Sequence, residues 1–264
     1  MTLYFALKLG YKGAKFSGFA RQPDQLTVQG NVEDALSMLF RRPITTVCAG
    51  RTDAGVHARA QMVSFELDEE EWEGRSARKI LRSLRALTHE DISILDLYQL
   101  ENEFSARFDA QFREYHYHLF PHKHRALFMR DFSWHIPQEL DVQAMQKAAD
   151  YFIGEHDFKS FCLAASAVDK PTHRFVKEVT IYSEQVLGED IITIKVVGNA
   201  FLHSMVRTMV GSLVMVGKHQ RNPEWISEVL KARNRCAAGE NAPAQGLVFW
   251  NIDYGNRKFI ELDY

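Results

Sequence analysis

The chain has 264 residues, 46% of them apolar, which is enough for one large hydrophobic core or two smaller ones. Its formal net charge is −2, so overall charge does not indicate a nucleic-acid-binding protein, and only a local basic patch could do so. The three cysteines, Cys48, Cys162 and Cys236, fit neither a disulfide framework nor a zinc site and favour a reducing compartment. A signal-peptide pattern and a membrane-spanning apolar run are both lacking, so we expect a soluble cytoplasmic protein.

The first part of the chain alternates predicted strands with predicted helices. Thr27 is a suitable N-cap for the first helix, and Arg41-Arg42-Pro43 ends it. The acidic run 68–73 is expected to be a solvated loop. The predicted elements are a strand at 3–9, a helix at 28–40, a strand at 62–67, a helix at 80–87 and a strand at 92–97.

A similar succession follows in the second part. Asp141 is expected to cap a helix that Gly154 stops, and the apolar run 202–216 predicts a fully buried helix. Further elements are strands at 113–120, 175–182, 191–197 and 246–252 and a helix beginning at Asn222. This order predicts an α+β fold of packed layers, with a boundary near Glu101 that divides the chain into halves 1–100 and 101–264.

The stretch from Ala49 to Arg59 lies between an apolar run and an alternating strand. If the backbone is still extended there, the side chains of Arg51 and Asp53 point to the same face. Gly55 then allows a sharp turn, which would place a carboxylate beside a guanidinium at the edge of a sheet. Taken alone, Asp-Ala-Gly is also a common turn tripeptide, because aspartate hydrogen-bonds its own backbone.

Residues Gly50 to His57 read Gly-Arg-Thr-Asp-Ala-Gly-Val-His and resemble the core signature of the tRNA pseudouridine synthase A family. The resemblance implies the pseudouridine synthase fold, a mixed and mainly antiparallel central sheet flanked by helices, with two similar halves around a central cleft. By this resemblance Asp53 is the catalytic residue and lies in the first half, while the second half carries a tyrosine strand and a buried arginine helix.

Three further segments resemble the family. Arg113-Glu114-Tyr115-His116-Tyr117 matches its Arg-x-Tyr-x-Tyr strand and implies that Tyr115 binds the substrate by stacking on the uracil. The segment from Asn199 to Arg207 implies that Arg207 forms a salt bridge to Asp53, and Ala242–Leu247 matches a closing motif that we interpret as architecture. Arg51 could take the place of the flipped base or contact phosphate. The alternatives are that Tyr115 is an ordinary core tyrosine, that Arg207 forms an unrelated ion pair or reaches the surface, and that Arg51 pairs locally with Asp53.

The implied reaction breaks the N-glycosidic bond of a uridine in RNA and rejoins the uracil through carbon 5. It is redox-neutral, so we expect no cofactor and no metal. A carboxylate ionised at neutral pH can act as a nucleophile, but the sequence leaves open whether Asp53 attacks ribose, attacks base or promotes elimination. The resemblance implies action on uridines 38, 39 and/or 40 of the tRNA anticodon stem-loop and a homodimer, so we expect tRNA and a second copy of the chain as partners.

Some positions depart from the family pattern or are candidates for RNA contacts. Lys12, Phe19 and Ala20 stand where the family usually has Asp, Trp and Gln, and Arg85–His89 replaces an Asn-Ala-x-Leu-Pro segment. We expect these departures to bear on target choice more than on chemistry. The basic side chains that could hold RNA phosphates are Arg41, Arg42, Arg59, the set within 75–85 and the loop 122–130, although any one of them is more often a solvated surface group.

Two other functions compete with this hypothesis. His116, His118, His122 and His124 could form the zinc site of a metal hydrolase, since His-x-His on a strand places two imidazoles on one face. A non-catalytic RNA-binding protein could also retain the fold. Bound zinc would indicate the first, and RNA binding without turnover would indicate the second.

Overall fold

The structure, a computed structural model, describes residues 1–163 and 171–262. It is an α+β protein with mainly antiparallel strands, as the element order predicted. The strands are β1 (Thr2–Tyr11), β2 (Val47–Cys48), β3 (His57–Asp68), β4 (Ile92–Leu100), β5 (Phe112–Phe120), β6 (Trp134–His135), β7 (Gly154–Asp157), β8 (His173–Val186), β9 (Glu189–Gly198), β10 (Leu247–Asp253) and β11 (Ile260–Glu261). The helices are α1 (Val28–Phe40), α2 (Glu69–Trp72), α3 (Ala77–Leu87), α4 (Val142–Ala149), α5 (Met205–Gly217) and α6 (Trp225–Ala232). Within the described ranges, none of the helices has the length and apolarity needed to cross a membrane.

The chain divides into two compact units. Unit 1 consists of Met1–Gln111 and the C-terminal segment that begins at Phe249, and unit 2 is Phe112–Val248. The expected halves, 1–100 and 101–264, do not include this return of the C-terminal segment to the first unit. Strand periodicity identifies β10 as a strand but carries no information about which unit it joins.

In unit 1, β1 lies at the centre of an antiparallel arrangement between β3 and β4. Phe5, Leu7 and Leu9 of β1 are fully buried, and Leu7 lies opposite Val63 of β3. Helix α1 begins where Thr27 Oγ1 accepts a hydrogen bond from the Gly30 N–H, as predicted. It ends at Arg41, whose left-handed backbone (φ 58°) stops the helix.

In unit 2, the strands lie in the order β5-β9-β8-β7, and each neighbouring pair is antiparallel. The short β6 pairs with β5 in parallel. Asp141 caps α4 by accepting a hydrogen bond from the Ala144 N–H. Helix α5 is buried along most of its length, so the prediction from its apolar sequence is confirmed.

Some local predictions were wrong. The acidic run 68–73 contains the short helix α2, because Asp68 and Glu71 form a reciprocal capping box at its start. Helix α4 ends at Ala149, and Gly154 begins strand β7 instead of stopping the helix directly. Three short strands, β6, β7 and β11, were not predicted, since two to four residues carry too little periodicity to be recognised.

Candidate active site

The Gly50–His57 stretch, which we call the signature loop, connects two paired strands. Strand β2 pairs antiparallel with β3, so the loop joins the ends of a hairpin as the flanking patterns indicated. Within the loop, the Val56 N–H donates a hydrogen bond to the Asp53 carbonyl oxygen (3.2 Å), and Gly55 has a φ of 79°, as at the third position of a type II turn. Asp53 is the first residue of this turn and is half-buried, whereas Arg51 is exposed.

Residues 11–19, which we call the first loop, hold the signature loop on both sides of Asp53. The Gly13 N–H donates to Nδ1 of the buried His57 (3.0 Å). The Phe19 N–H donates to the Thr52 carbonyl oxygen (3.0 Å). These bonds fix the backbone immediately before Asp53 and shortly after it, so the direction in which its carboxylate points is set by fixed neighbours.

A buried hydroxyl pair adds to this support. The Tyr11 hydroxyl and Thr52 Oγ1 lie 2.8 Å apart at the end of β1. Burial raises the pKa of Tyr11 far above its ordinary value, and the hydrogen bond to Thr52 only partly opposes the shift. The phenol is therefore neutral at physiological pH and acts as a structural group.

The two loops approach closely at a glycine that tolerates no side chain. A Cβ on Gly13 would lie 1.9 Å from the Val56 carbonyl oxygen and 2.5 Å from its carbonyl carbon. Both atoms are backbone, so no side chain can move aside to make room. Gly13 therefore permits the contact by which the first loop supports the turn of the signature loop.

In unit 2, Tyr115 lies on β5 with only 7% of its side chain exposed. Its ring packs edge-on against Phe201 with the centroids 5.1 Å apart. The Phe201 ring in turn lies over Gly198, where a Cβ would be 2.9 Å from Phe201 Cζ. Phe201 thus fixes one edge of the Tyr115 ring, and Gly198 provides the space that Phe201 occupies.

Arg207, on α5, is held by the closing motif, residues 242–247. Its Nε donates to the Ala242 carbonyl oxygen (2.8 Å), and the Ala242 N–H donates back to the Arg207 carbonyl oxygen (3.2 Å). The same motif contacts β5, because the Tyr117 hydroxyl donates to the Pro243 carbonyl oxygen (2.8 Å). The motif therefore ties α5 to the strand that carries Tyr115, which agrees with its interpretation as architecture.

Tyr117 has an environment that keeps it neutral. Its side chain is fully buried, and burial raises its pKa well above the ordinary value, with Arg207 opposing the shift. A Cβ on Gly246 would lie 2.5 Å from Tyr117 Cζ, so the closing motif packs directly on the ring. Successive inward positions of a strand share a face, which places Tyr117 beside Tyr115.

Two of the proposed phosphate-binding arginines have structural partners instead. Arg42 forms a bidentate ion pair with Glu71 of α2. Arg85 donates to the carbonyl oxygens of Ile94 and Leu95 (both 2.9 Å) and so joins α3 to β4. Arg59 is exposed and lies 4.9 Å above the centre of the Trp250 ring, where a phosphate could still reach it.

The histidines of the rival metal hypothesis do not converge on one site. His116 Nε2 pairs with Glu114 (2.7 Å), and His118 Nδ1 lies 3.2 Å from the Phe132 carbonyl oxygen. Within the described residues, the group with metal-ligand spacing is His89, Glu90 and Asp91. The Lys15 ammonium lies 2.7 Å from Glu90 and 3.1 Å from Asp91, so a cationic side chain already pairs with both carboxylates.

Unit 1 places Asp53 and Arg51 on one loop, but Arg51 is exposed and does not form the expected pair with Asp53 within the described residues, and unit 2 places Tyr115 and Arg207 on elements joined by the closing motif. Sequence reasoning missed the supporting groups Tyr11, Tyr117 and Phe201. For Tyr117 the signal was present, because it is the second tyrosine of the Arg-x-Tyr-x-Tyr strand. For Tyr11, nothing in the pattern distinguishes a supporting phenol from an ordinary core residue.

Comparison with known proteins identifies the class to which this fold and loop belong. A family model described as tRNA pseudouridine synthase matches residues 148–255. The tRNA pseudouridine synthase A of Thermotoga neapolitana is 40% identical over 242 residues, which are 92% of this chain and 96% of the relative. That of Brevibacillus brevis is 40% identical over 251 residues, 93% and 97% of the two chains. The chain belongs to the tRNA pseudouridine synthase A family, a family of isomerases, as the signature predicted.

A more distant likeness comes from solved structures. One chain in a structure titled "Crystal Structure of a Cbf5-Nop10-Gar1 Complex" is 12% identical and has a TM-score of 0.33. The alignment covers 79% of this chain and 54% of that chain. A likeness at this level carries no argument about the site.

Proposed function

We propose that this protein isomerises uridine to pseudouridine in tRNA, at positions 38, 39 and/or 40 of the anticodon stem-loop, with Asp53 as the catalytic residue. The observation that carries the proposal is the position of Asp53 at the first residue of a turn held on both sides by buried hydrogen bonds from the first loop. A reacting group must be held in a fixed orientation, and a carboxylate so placed can act as a nucleophile or promote elimination. The 40% identity to tRNA pseudouridine synthases A supports the reaction class.

The other site residues receive roles in binding. Tyr115, whose ring edge is fixed by Phe201, stacks on the uracil. Arg207, held by the closing motif, takes part in substrate binding, as the family resemblance implies. Arg51 is exposed and makes no ion pair or hydrogen bond within residues 1–163 and 171–262, so its guanidinium is available for a phosphate or for the position that the flipped base leaves.

The reaction exchanges one bond for another without redox change. The bond between ribose carbon 1′ and uracil nitrogen 1 breaks, the uracil rotates, and a bond from carbon 1′ to carbon 5 forms. The proton lost from carbon 5 is balanced by a proton gained at nitrogen 1. A base within a stem is inaccessible in place, so the target nucleotide is flipped out before the chemistry.

The assembly and location follow the family expectation. We propose a homodimer that acts in the cytoplasm. The buried free thiols of Cys48 and Cys162 are compatible with a reducing compartment.

The decisive experiment measures tritium release from carbon-5-labelled uridine in a tRNA transcript. Wild-type protein is expected to release tritium, whereas Asp53→Ala and Asp53→Asn release none above background and retain tRNA binding. Asn has the size of Asp but lacks the charge, so the pair separates loss of the carboxylate from loss of volume.

Asp150→Asn provides the matched control, since Asp150 is exposed at the end of α4 and an asparagine can still accept from Gln146. Its release rate is expected to equal that of wild type. Tight tRNA binding by wild-type protein without tritium release would contradict the proposal and favour the non-catalytic RNA-binding alternative. A transcript with cytidine at positions 38–40 tests the positions: continued release would refute them.

A further inference from the structure

A surface of unit 2 outside the candidate active site combines exposed cations with exposed apolar side chains. It is the loop of residues 121–133, between β5 and β6, which we call the basic loop. Lys123, Arg125 and Arg130 are exposed. None of the three forms an ion pair in the described part of the chain. Leu127 and Phe128 between them are 76% and 57% exposed.

The exposure of Leu127 and Phe128 is built into the loop. The flanking residues Ala126 and Met129 are buried in a small apolar cluster with Phe120 and Ile191. These anchors leave the two intervening side chains no inward position. A large aromatic ring is therefore held at the surface by the packing of its neighbours.

A carboxylate from the hairpin of β8 and β9 fixes the loop backbone. Glu189, at the start of β9, accepts hydrogen bonds from the N–H groups of Leu127, Phe128 and Met129. Burial raises the pKa of Glu189, but the hydrogen bonds from the three amides lower it by more. The pKa therefore falls below its ordinary value, and the carboxylate stays ionised. Because these amides are satisfied within the protein, the loop is pre-ordered and a ligand would not have to order it.

The local charge favours an anionic ligand. Three exposed cations flank the Leu127–Phe128 pair, and His122 and His124 precede it with stacked rings 5.5 Å apart. The nearby carboxylates are Asp131 within the loop and Glu189 and Asp190 on β9, of which Glu189 faces the loop amides and Asp190 accepts from Gln185. Residues 121–133 themselves carry three cations against one carboxylate, Asp131, so the basic loop has a formal charge of +2 around an exposed ring.

We propose that the basic loop is a second RNA-contact surface, on which a nucleotide base stacks on Phe128 while Lys123, Arg125 and Arg130 hold phosphates. Aromatic stacking combined with cations along the backbone is how proteins hold unpaired nucleotides without reading sequence. The loop follows Tyr115 by five strand residues, a distance of about 17 Å. The surface therefore contacts a part of the RNA other than the target uridine. This inference rests on the proposed function, which makes RNA the substrate.

The test makes two measurements on each variant. The first is the KM and kcat of tritium release. The second is the Kd for a tRNA transcript that has cytidine at positions 38–40 and cannot turn over. Phe128→Ala and Phe128→Leu are expected to raise KM and Kd about tenfold with kcat unchanged, and Phe128→Tyr, which keeps the aromatic face, to stay within about twofold of wild type. The triple variant Lys123→Gln/Arg125→Gln/Arg130→Gln is expected to reduce the slope of log Kd against log salt by about 2 to 3.

The control is a second triple variant, Lys147→Gln/Arg221→Gln/Lys231→Gln, which removes three exposed cations elsewhere in unit 2 and is expected to leave the salt slope unchanged. Unchanged KM, Kd and salt slope in the basic-loop variants would overturn the inference. So would a shift from dimer to monomer with unchanged RNA affinity, because the loop would then be an interface between copies. Loop-dependent RNA binding without tritium release in wild type would retain the inference while refuting the proposed function.

Discussion

The contact between Gly13 and Val56 predicts a large catalytic effect from one methyl group. In Gly13→Ala, the new Cβ must move by about 1.5 Å to bring its distance from the Val56 carbonyl oxygen from 1.9 Å to the 3.4 Å of ordinary contact. Separation of the two loops also breaks the buried bond from the Gly13 N–H to His57, at a cost of about 1–3 kcal/mol. A displacement of about 1 Å in a positioned group lowers the rate about 100-fold. We therefore expect kcat for tritium release to fall about 100-fold.

For each variant, the assay measures kcat, corrected for the folded fraction from circular dichroism, and separately the free energy of unfolding in urea. Gly74→Ala is the matched control: its φ of 70° strains an alanine, but nothing lies within 4 Å of the added Cβ. This control is expected to lose about 1 kcal/mol of stability and to retain wild-type kcat. Wild-type kcat in folded Gly13→Ala would refute the reasoning that the first loop positions Asp53.

Three further predictions concern unit 2. Gly246→Ala places a Cβ 2.5 Å from Tyr117 Cζ and must shift a fully buried ring, so tritium release is expected to fall at least tenfold; a wild-type rate would contradict the close packing. Tyr117→Phe removes the hydroxyl that donates to Pro243, and urea unfolding is expected to show a loss of about 1 kcal/mol, which an unchanged midpoint would refute. Burial lowers the pKa of His116, with Glu114 opposing the shift, so its contribution to stability is complete above about pH 6.5 and declines as pH falls toward the lowered value. His116→Gln is therefore expected to flatten urea stability between pH 7 and 5, and an unchanged slope would count against this cause.

The sequence predicted the signature-loop hairpin well because two kinds of pattern agree there. Alternating apolar residues specify β3, and Gly55 specifies a turn that needs a positive φ. The capped starts of α1 and α4 were predicted for a similarly local reason, since Thr27 and Asp141 act on amides three residues away. Caps and turns depend on residues only a few positions apart, so the sequence alone can predict them.

The rest depends on contacts between residues far apart in sequence. The pairing of Arg42 with Glu71 and of Arg85 with β4 carbonyls arises only after the helices pack, so those arginines looked like free surface cations. The support of Asp53 by Gly13 and Tyr11 likewise joins residues about forty positions apart. The roles of Asp53, Tyr115, Arg51 and Arg207 remain predictions that the enzyme assays test.

Because the C-terminal segment belongs to unit 1, that unit cannot be completed until the end of the chain has been synthesised. The Gln111 N–H donates to the Asp253 carbonyl oxygen, and the Tyr254 hydroxyl donates to that of Ala106. Tyr254 also packs edge-on against Phe104. A ribosome synthesises all of unit 2 before residues 253 and 254. Until then, unit 1 of the nascent chain, which carries the signature loop, lacks these contacts. A chain that stops at Val248 lacks the aromatic rings that pack against Phe104.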